Sequence, residues 1–160
     1  MSTLPQLLQE DVAELQTACQ SLLEQAEASI VLLTDKAGYR LVQAGDVAGL
    51  DTTSLAALAS GSFLATQQIA SIINEPNFSN VYQQGEKWGM FISNVDAATV
   101  LIVLFPSQVG LGVVKYYVSA AVTLVAAQLE KAKSRGAATS LDLAMLNVPD
   151  SLEFFKQKSQ

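Results

Sequence analysis

The chain has 160 residues, half of them apolar and only 15% charged, with a net charge of −6. That length suits one domain, the composition excludes a disordered chain, and the acidic balance excludes a broad nucleic-acid or anionic-membrane footprint. Histidine is absent and Cys19 is the single cysteine, which removes histidine-based triads, the common zinc sites and any intrachain disulfide.

The first residues, MSTLPQLLQED, carry neither a basic stretch nor an apolar core, so no signal peptide is expected. Leu4 to Ala28 predicts an amphipathic helix. Leu8, Val12, Leu15, Cys19, Leu22 and Ala26 recur every three or four residues on one face, and Pro5 fits a first turn, where its missing N–H costs nothing. Ser29 to Thr34 is β-branched and aliphatic and predicts a strand. Asp35 to Gly38 is a turn whose glycine suits a positive φ, and Tyr39 to Ala44 returns as a second strand.

Asp51 or Thr52 caps a second helix that runs to about Asn74, with Pro76 enforcing the stop. Phe78 to Gln84, Trp88 to Val95 and Thr99 to Phe105 predict three more strands. The unbroken apolar run of the last marks a central strand covered on both faces. A long helix follows from Leu111 to Ser134. Val114, Tyr117, Val118, Ala121, Leu124, Val125 and Gln128 set its inward rhythm, Lys131, Lys133 and Arg135 suit the dipole at its end, and Gly136 stops it. The fold class is therefore α+β, in the order αββαβββα: a five-stranded antiparallel sheet flanked by three helices in an α/β/α sandwich. Residues 1–136 form the domain, and 137–160 a linker with a short helical tail capped by Asp150 or Ser151.

Two uncharged stretches, Thr52 to Asn74 and Ala97 to Val114, are interrupted by Ser, Thr, Gln, Gly or Pro. Neither is expected to cross a membrane. On a 100° wheel the middle helix is expected to turn Leu55, Leu58, Ala59, Ser62, Thr66, Ile69 and Ile73 to the sheet. The opposite face holds Ala57, Ser60, Gly61, Leu64, Gln67, Gln68 and Ser71. An ordinary exposed helix face carries Glu and Lys. This one carries none, and Gly61 costs about 1 kcal/mol of helix propensity relative to Ala. The seven residues are read as a contact surface for another subunit or partner.

Chemistry is poorly served. Cys19 lies on an apolar helix face and reads as an inert core thiol. The hydroxyls of Thr52, Thr53 and Ser54 beside Asp51 are explained by capping and have no accompanying base. Gly110-Leu111-Gly112 is too short for a phosphate-binding fingerprint. Arg40 and Arg135 are the only arginines, and neither sits where an arginine finger is expected. No catalytic residue, cofactor or metal is assigned.

Several segments together resemble one family. They are Val31 to Gly38 (VLLTDKAG), Asp51 to Leu58 (DTTSLAAL) with Ala65 and Ala70 on the same helix, Phe78 with Gln84-Gly85-Glu86, Val100 to Phe105, and Gly110 to Lys115 (GLGVVK). Their order is similar to the roadblock (dynein light-chain type) family, and within it to bacterial MglB-like proteins. The likeness covers about residues 8 to 135. It implies a homodimer pairing through the middle helices and third strands, with one sheet continuous across both subunits. It also implies binding to a Ras-like GTPase of the MglA type, whose hydrolysis the dimer stimulates by repositioning the GTPase's own catalytic groups.

The function expected is thus a cytoplasmic, non-catalytic regulator. The alternative is a roadblock scaffold that tethers a GTPase or polarity complex without accelerating hydrolysis. A small-molecule sensor would need convergent polar groups in the sheet–helix cleft, and the sequence offers none. In the tail, Leu146, Leu152, Phe154 and Phe155 are candidates for docking on a bound GTPase.

Overall fold

The computed structural model describes the backbone of residues 3–156 and the side chains of residues 3–139. The order is α1 (Gln9–Gln25), β1 (Ile30–Asp35), β2 (Arg40–Gly45), α2 (Thr52–Ile72), β3 (Asn80–Gln84), β4 (Trp88–Asn94), β5 (Thr99–Pro106) and α3 (Leu111–Lys156). The strands form one antiparallel sheet in the order β2-β1-β5-β4-β3. β5 is central, as its apolar run requires, and Val100 to Val103 are wholly buried. The hairpin between β1 and β2 turns at Gly38 with φ +98°. A Cβ there would stand 2.8 Å from the Ala57 Cα, so the turn fits against α2 only as glycine.

The two sheet faces carry separate cores. On one, α1 and α3 pack Leu15, Cys19, Leu22, Val114, Val118, Val125 and Leu129 over Val31, Leu33, Leu101, Val103 and Phe105. On the other, α2 alone packs Ala56, Ala59 and Phe63 over Ile30, Leu32, Ile92, Val100 and Ile102. The alternation of β1 and β5 residues between the two cores is the period-two pleat of a strand buried on both sides.

Both outer helices differ from the periodicity expected of them. α1 starts at Gln9, so Pro5 precedes it, and Leu8 and Val12 are exposed while Leu15, Cys19, Leu22 and Ala26 are buried. In α3, Leu124 is exposed and the inward series continues instead through Leu129 and Ala132.

The larger correction is at Gly136. The helix passes through it and is described to Lys156, so no linker separates the domain from a tail helix. Lys131, Lys133 and Arg135 are therefore inside α3 rather than at its end. Lys133 pairs with Asp96 at 3.1 Å, and Arg135 with Asp11 and Glu10. The side chains of Leu146, Leu152, Phe154 and Phe155 lie outside the described side chains.

A Cβ on Gly136 meets nothing within 4 Å. Gly136→Ala is therefore expected to stabilise the chain by about 1 kcal/mol through helix propensity alone, read as a higher Tm. A lower Tm would mean that the glycine conformation ends the helix there.

Candidate partner-binding surface

α2 is fixed at its start by Asp51, whose carboxylate accepts from the Ser54 N–H (3.0 Å) and the Ser54 hydroxyl (2.6 Å). These bonds hold the Asp51 carboxyl below its ordinary range, the hydroxyl contributing most. Farther along, the buried Ser60 hydroxyl meets that of Thr34 at 3.1 Å. Phe63 is the one large α2 side chain sunk into the sheet, with Lys36 Nζ 5.8 Å from its ring centroid. Near the other end, Gln67 Nε2 donates to the Phe78 carbonyl (2.6 Å) and its Oε1 accepts from the Phe78 N–H (3.2 Å). That pair ties α2 to the chain entering β3.

These contacts set the helix phase, and it is rotated from the one expected. The inward residues are Ala56, Ala59, Ser60, Phe63 and Ala70. Leu58, Ile69 and Ile73, expected against the sheet, are exposed, and Ile72 beside them is 79% exposed. Of the seven expected contact residues, Ala57, Gly61, Leu64, Gln68 and Ser71 face outward. Ser60 and Gln67 do not: one is buried against Thr34, and the other is half-buried and spent on Phe78. The outer face is thus Ala57, Leu58, Gly61, Leu64, Ala65, Gln68, Ile69 and Ile72. It is uncharged and more apolar than the wheel implied.

The ends of the sheet differ. At the β2 edge, the Gln43 carbonyl accepts from Gln16 Nε2 (2.8 Å) and the Gly45 carbonyl from Gln43 Nε2 (3.0 Å). Side-chain amides thereby close an edge that could otherwise recruit another strand. β3 forms the opposite edge and pairs only with β4. An open strand edge and a neutral helix face are joined through the Gln67–Phe78 bonds.

Cys19 is buried, and desolvation pushes its thiol up to about 12. Among the described residues no group of His, Cys, Asp or Glu could hold a metal ion. Arg40 donates to Gln43 and Thr52. Arg135 reaches the wholly buried Asp11, whose carboxylate also accepts from the Leu8 N–H (2.7 Å) and Gln128 Nε2 (2.8 Å). This clasp between α1 and α3 was not legible in either helix alone. α2, whose polar interruptions argued against a membrane span, and residues 111–139 of α3 reach the length and hydropathy of a spanning helix by composition alone. The apolar residues that bring α2 to that threshold include the exposed Leu58, Ile69 and Ile72.

Residues 14–105 match the family model of the Roadblock/LC7 domain. The chain belongs to the Roadblock/LC7 family. Among solved structures it is similar to Myxococcus xanthus MglB, with 30% identity and a TM-score of 0.74 over 79% of this chain and 96% of that one. The gliding protein MglB of Thermus thermophilus superposes with a TM-score of 0.73 at 23% identity, over 82% and 99% of the two chains. An MglB in a tetrameric arrangement superposes with 0.74 at 23% identity, again over 82% and 99%. At that identity the last two share the fold. No curated protein matches by sequence comparison. The roadblock, MglB-like resemblance and the α/β/α sandwich expected from sequence both hold.

Proposed function

We propose that this roadblock protein is a non-catalytic regulator. It pairs with a second copy of itself through α2 and the β3 edge. As that dimer it binds a Ras-like GTPase of the MglA type and stimulates GTP hydrolysis in the cytoplasm. The observation that carries this reading is the uncharged outer face of α2 beside the open β3 edge. Eight neighbouring outward positions without a charge are costly to leave in water and suit a protein contact. The likeness to Myxococcus xanthus MglB supports the choice of partner class. Part of each α2 face closes the dimer, and the remainder of the two copies forms a broad neutral platform for the GTPase.

The stimulation acts through the GTPase's own groups. Arg40 and Arg135 are both engaged within this chain, and Arg135 holds a buried carboxylate. The test is GTP turnover by the Ras-like GTPase encoded nearest to this protein, with and without it. Faster turnover is expected, and Arg40→Ala and Arg135→Ala are expected to keep most of it. Loss of a finger would cost about 10³-fold or more. Such a loss in either folded variant would overturn the repositioning model. Binding without acceleration would instead identify a scaffold.

A further inference from the structure

The helices opposite α2 stop short of one edge of the sheet. α1 packs over β1 and β2 and α3 over β4, and β3 lies beyond both. Between α3, the start of β3 and the end of β4 there is a cleft of about 280 Å³. Its floor is apolar, made of Phe91 from β4 with Val118 and the half-buried Val122 from α3. A wider groove along α3 opens beside it and shares Lys115, Ser119 and Thr123 with it.

The rim is polar and comes from all three elements. Asn80 stands opposite Ser93 in the β3–β4 register, and the Ser93 hydroxyl donates to the Asn80 Oδ1 at 2.8 Å. That bond orients the amide, and its Nδ2 has no partner among the described residues. Ser79, Asn94 and Ser119 likewise bring side chains that make no hydrogen bond among those residues. Lys115 is the one charged residue of the lining, and it makes neither an ion pair nor a hydrogen bond among them. These groups stand at positions 79–80, 93–94 and 115–119, so the folded sheet alone brings them together.

One ammonium with uncommitted amides and hydroxyls, and no carboxylate in the lining, is a receptor for an anion. An apolar floor under a few polar groups is the build of a small-molecule site. The volume lies near the lower end of ordinary ligand clefts, about 300 Å³, so the apolar part of the ligand is one ring or a short chain. A single cation on a chain of net charge −6 suits one negative charge rather than a polyphosphate or a nucleic acid.

We infer that the cleft between α3 and β3 binds a small organic monoanion, a carboxylate on a short apolar body. The carboxylate meets Lys115 Nζ and Asn80 Nδ2 at the rim, and the body lies over Phe91, Val118 and Val122. The site is complete in one chain and lies across the sheet from α2, so it asks nothing of the proposed pairing or of the GTPase.

Amide NMR of the full chain, titrated with hydrocinnamate, tests this, with hydrocinnamamide as the uncharged analogue of the same shape. Saturable shifts are expected at Asn80, Ser93, Ser119 and Thr123. The carboxylate is expected to bind about fivefold or more tightly than the amide. Lys115→Met is expected to remove that preference and Lys115→Arg to keep it. Ser119→Trp, at an exposed helix position, is expected to fill the cleft and abolish binding of both with helicity intact. Equal affinity for carboxylate and amide overturns the inference, as do shifts confined to other surfaces or the absence of any saturable shift. Lys115→Met that weakens GTPase binding and leaves the hydrocinnamate titration unchanged also overturns it, and gives Lys115 to the GTPase contact. Failure of the GTPase reading leaves the hydrocinnamate titration as it is, so the two fail separately.

Discussion

Gly61→Arg is expected to halve the mass of the assembly while leaving the subunit folded. Gly61 lies at the centre of the outer α2 face, and a Cβ on it meets nothing within 4 Å. Arginine is also a far better helix former than glycine. The isolated subunit should therefore tolerate the change and even gain helical stability. In the proposed α2 dimer the same guanidinium would face an uncharged, largely apolar surface made of Leu58, Leu64, Ala65 and Gln68 from each copy. Burying it unpaired costs on the order of 3 kcal/mol, more than a hundredfold in Kd. Light scattering should show the halved mass, circular dichroism should show unchanged helicity, and GTPase binding should fall with the dimer. An unaltered mass for Gly61→Arg would place the dimer contact elsewhere than α2.

The misplaced phase of α2 supports the same surface. Sequence periodicity turns the large aliphatic residues inward, as it would for any helix with one wet face. Here Ala56, Ala59, Ser60 and Ala70 face the sheet with Phe63 as the single wholly buried large residue and Leu55 half-buried beside it, while Leu58, Ile69 and Ile72 face out. A helix with no charged stripe has little in its sequence to fix its rotation, and its outward leucine and isoleucines suit the proposed contact surface.

By contrast β5, buried on both sides, was legible from its unbroken run, and so was the whole element order. The strand edges were not legible from composition or periodicity, and only the family resemblance pointed to the third strand. Which edge stays open depends on Gln16 and Gln43 reaching carbonyls of β2, and nothing in their spacing announces it. At Gly136 the local preference for a helix stop was overridden. α3 is held on both sides of that point, by Lys133 on Asp96 before it and by the continuing helix after it.

Asp11→Ala is expected to lower the Tm at neutral pH by several degrees, and that difference is expected to vanish in acid. The carboxylate is wholly buried at the start of α1. Its bond from the Leu8 N–H is the main influence lowering its pKa below the ordinary 3.8. Burial opposes this, and Gln128 and Arg135 add to the lowering. A depressed carboxylate contributes stability that is complete above the unfolded value and is lost as pH falls through the folded one. The window therefore lies below about pH 4. Removing the carboxylate leaves the Leu8 N–H uncapped and deprives Gln128 and Arg135 of their acceptor, which unfastens α3 from α1 just before the helix runs on to Lys156. Thermal melts of wild type and variant at pH 7 and near pH 2 check this. Equal Tm values at pH 7 would show that the clasp adds nothing to stability. A gap of unchanged size in acid would show that packing, and not the charge on Asp11, carries the effect.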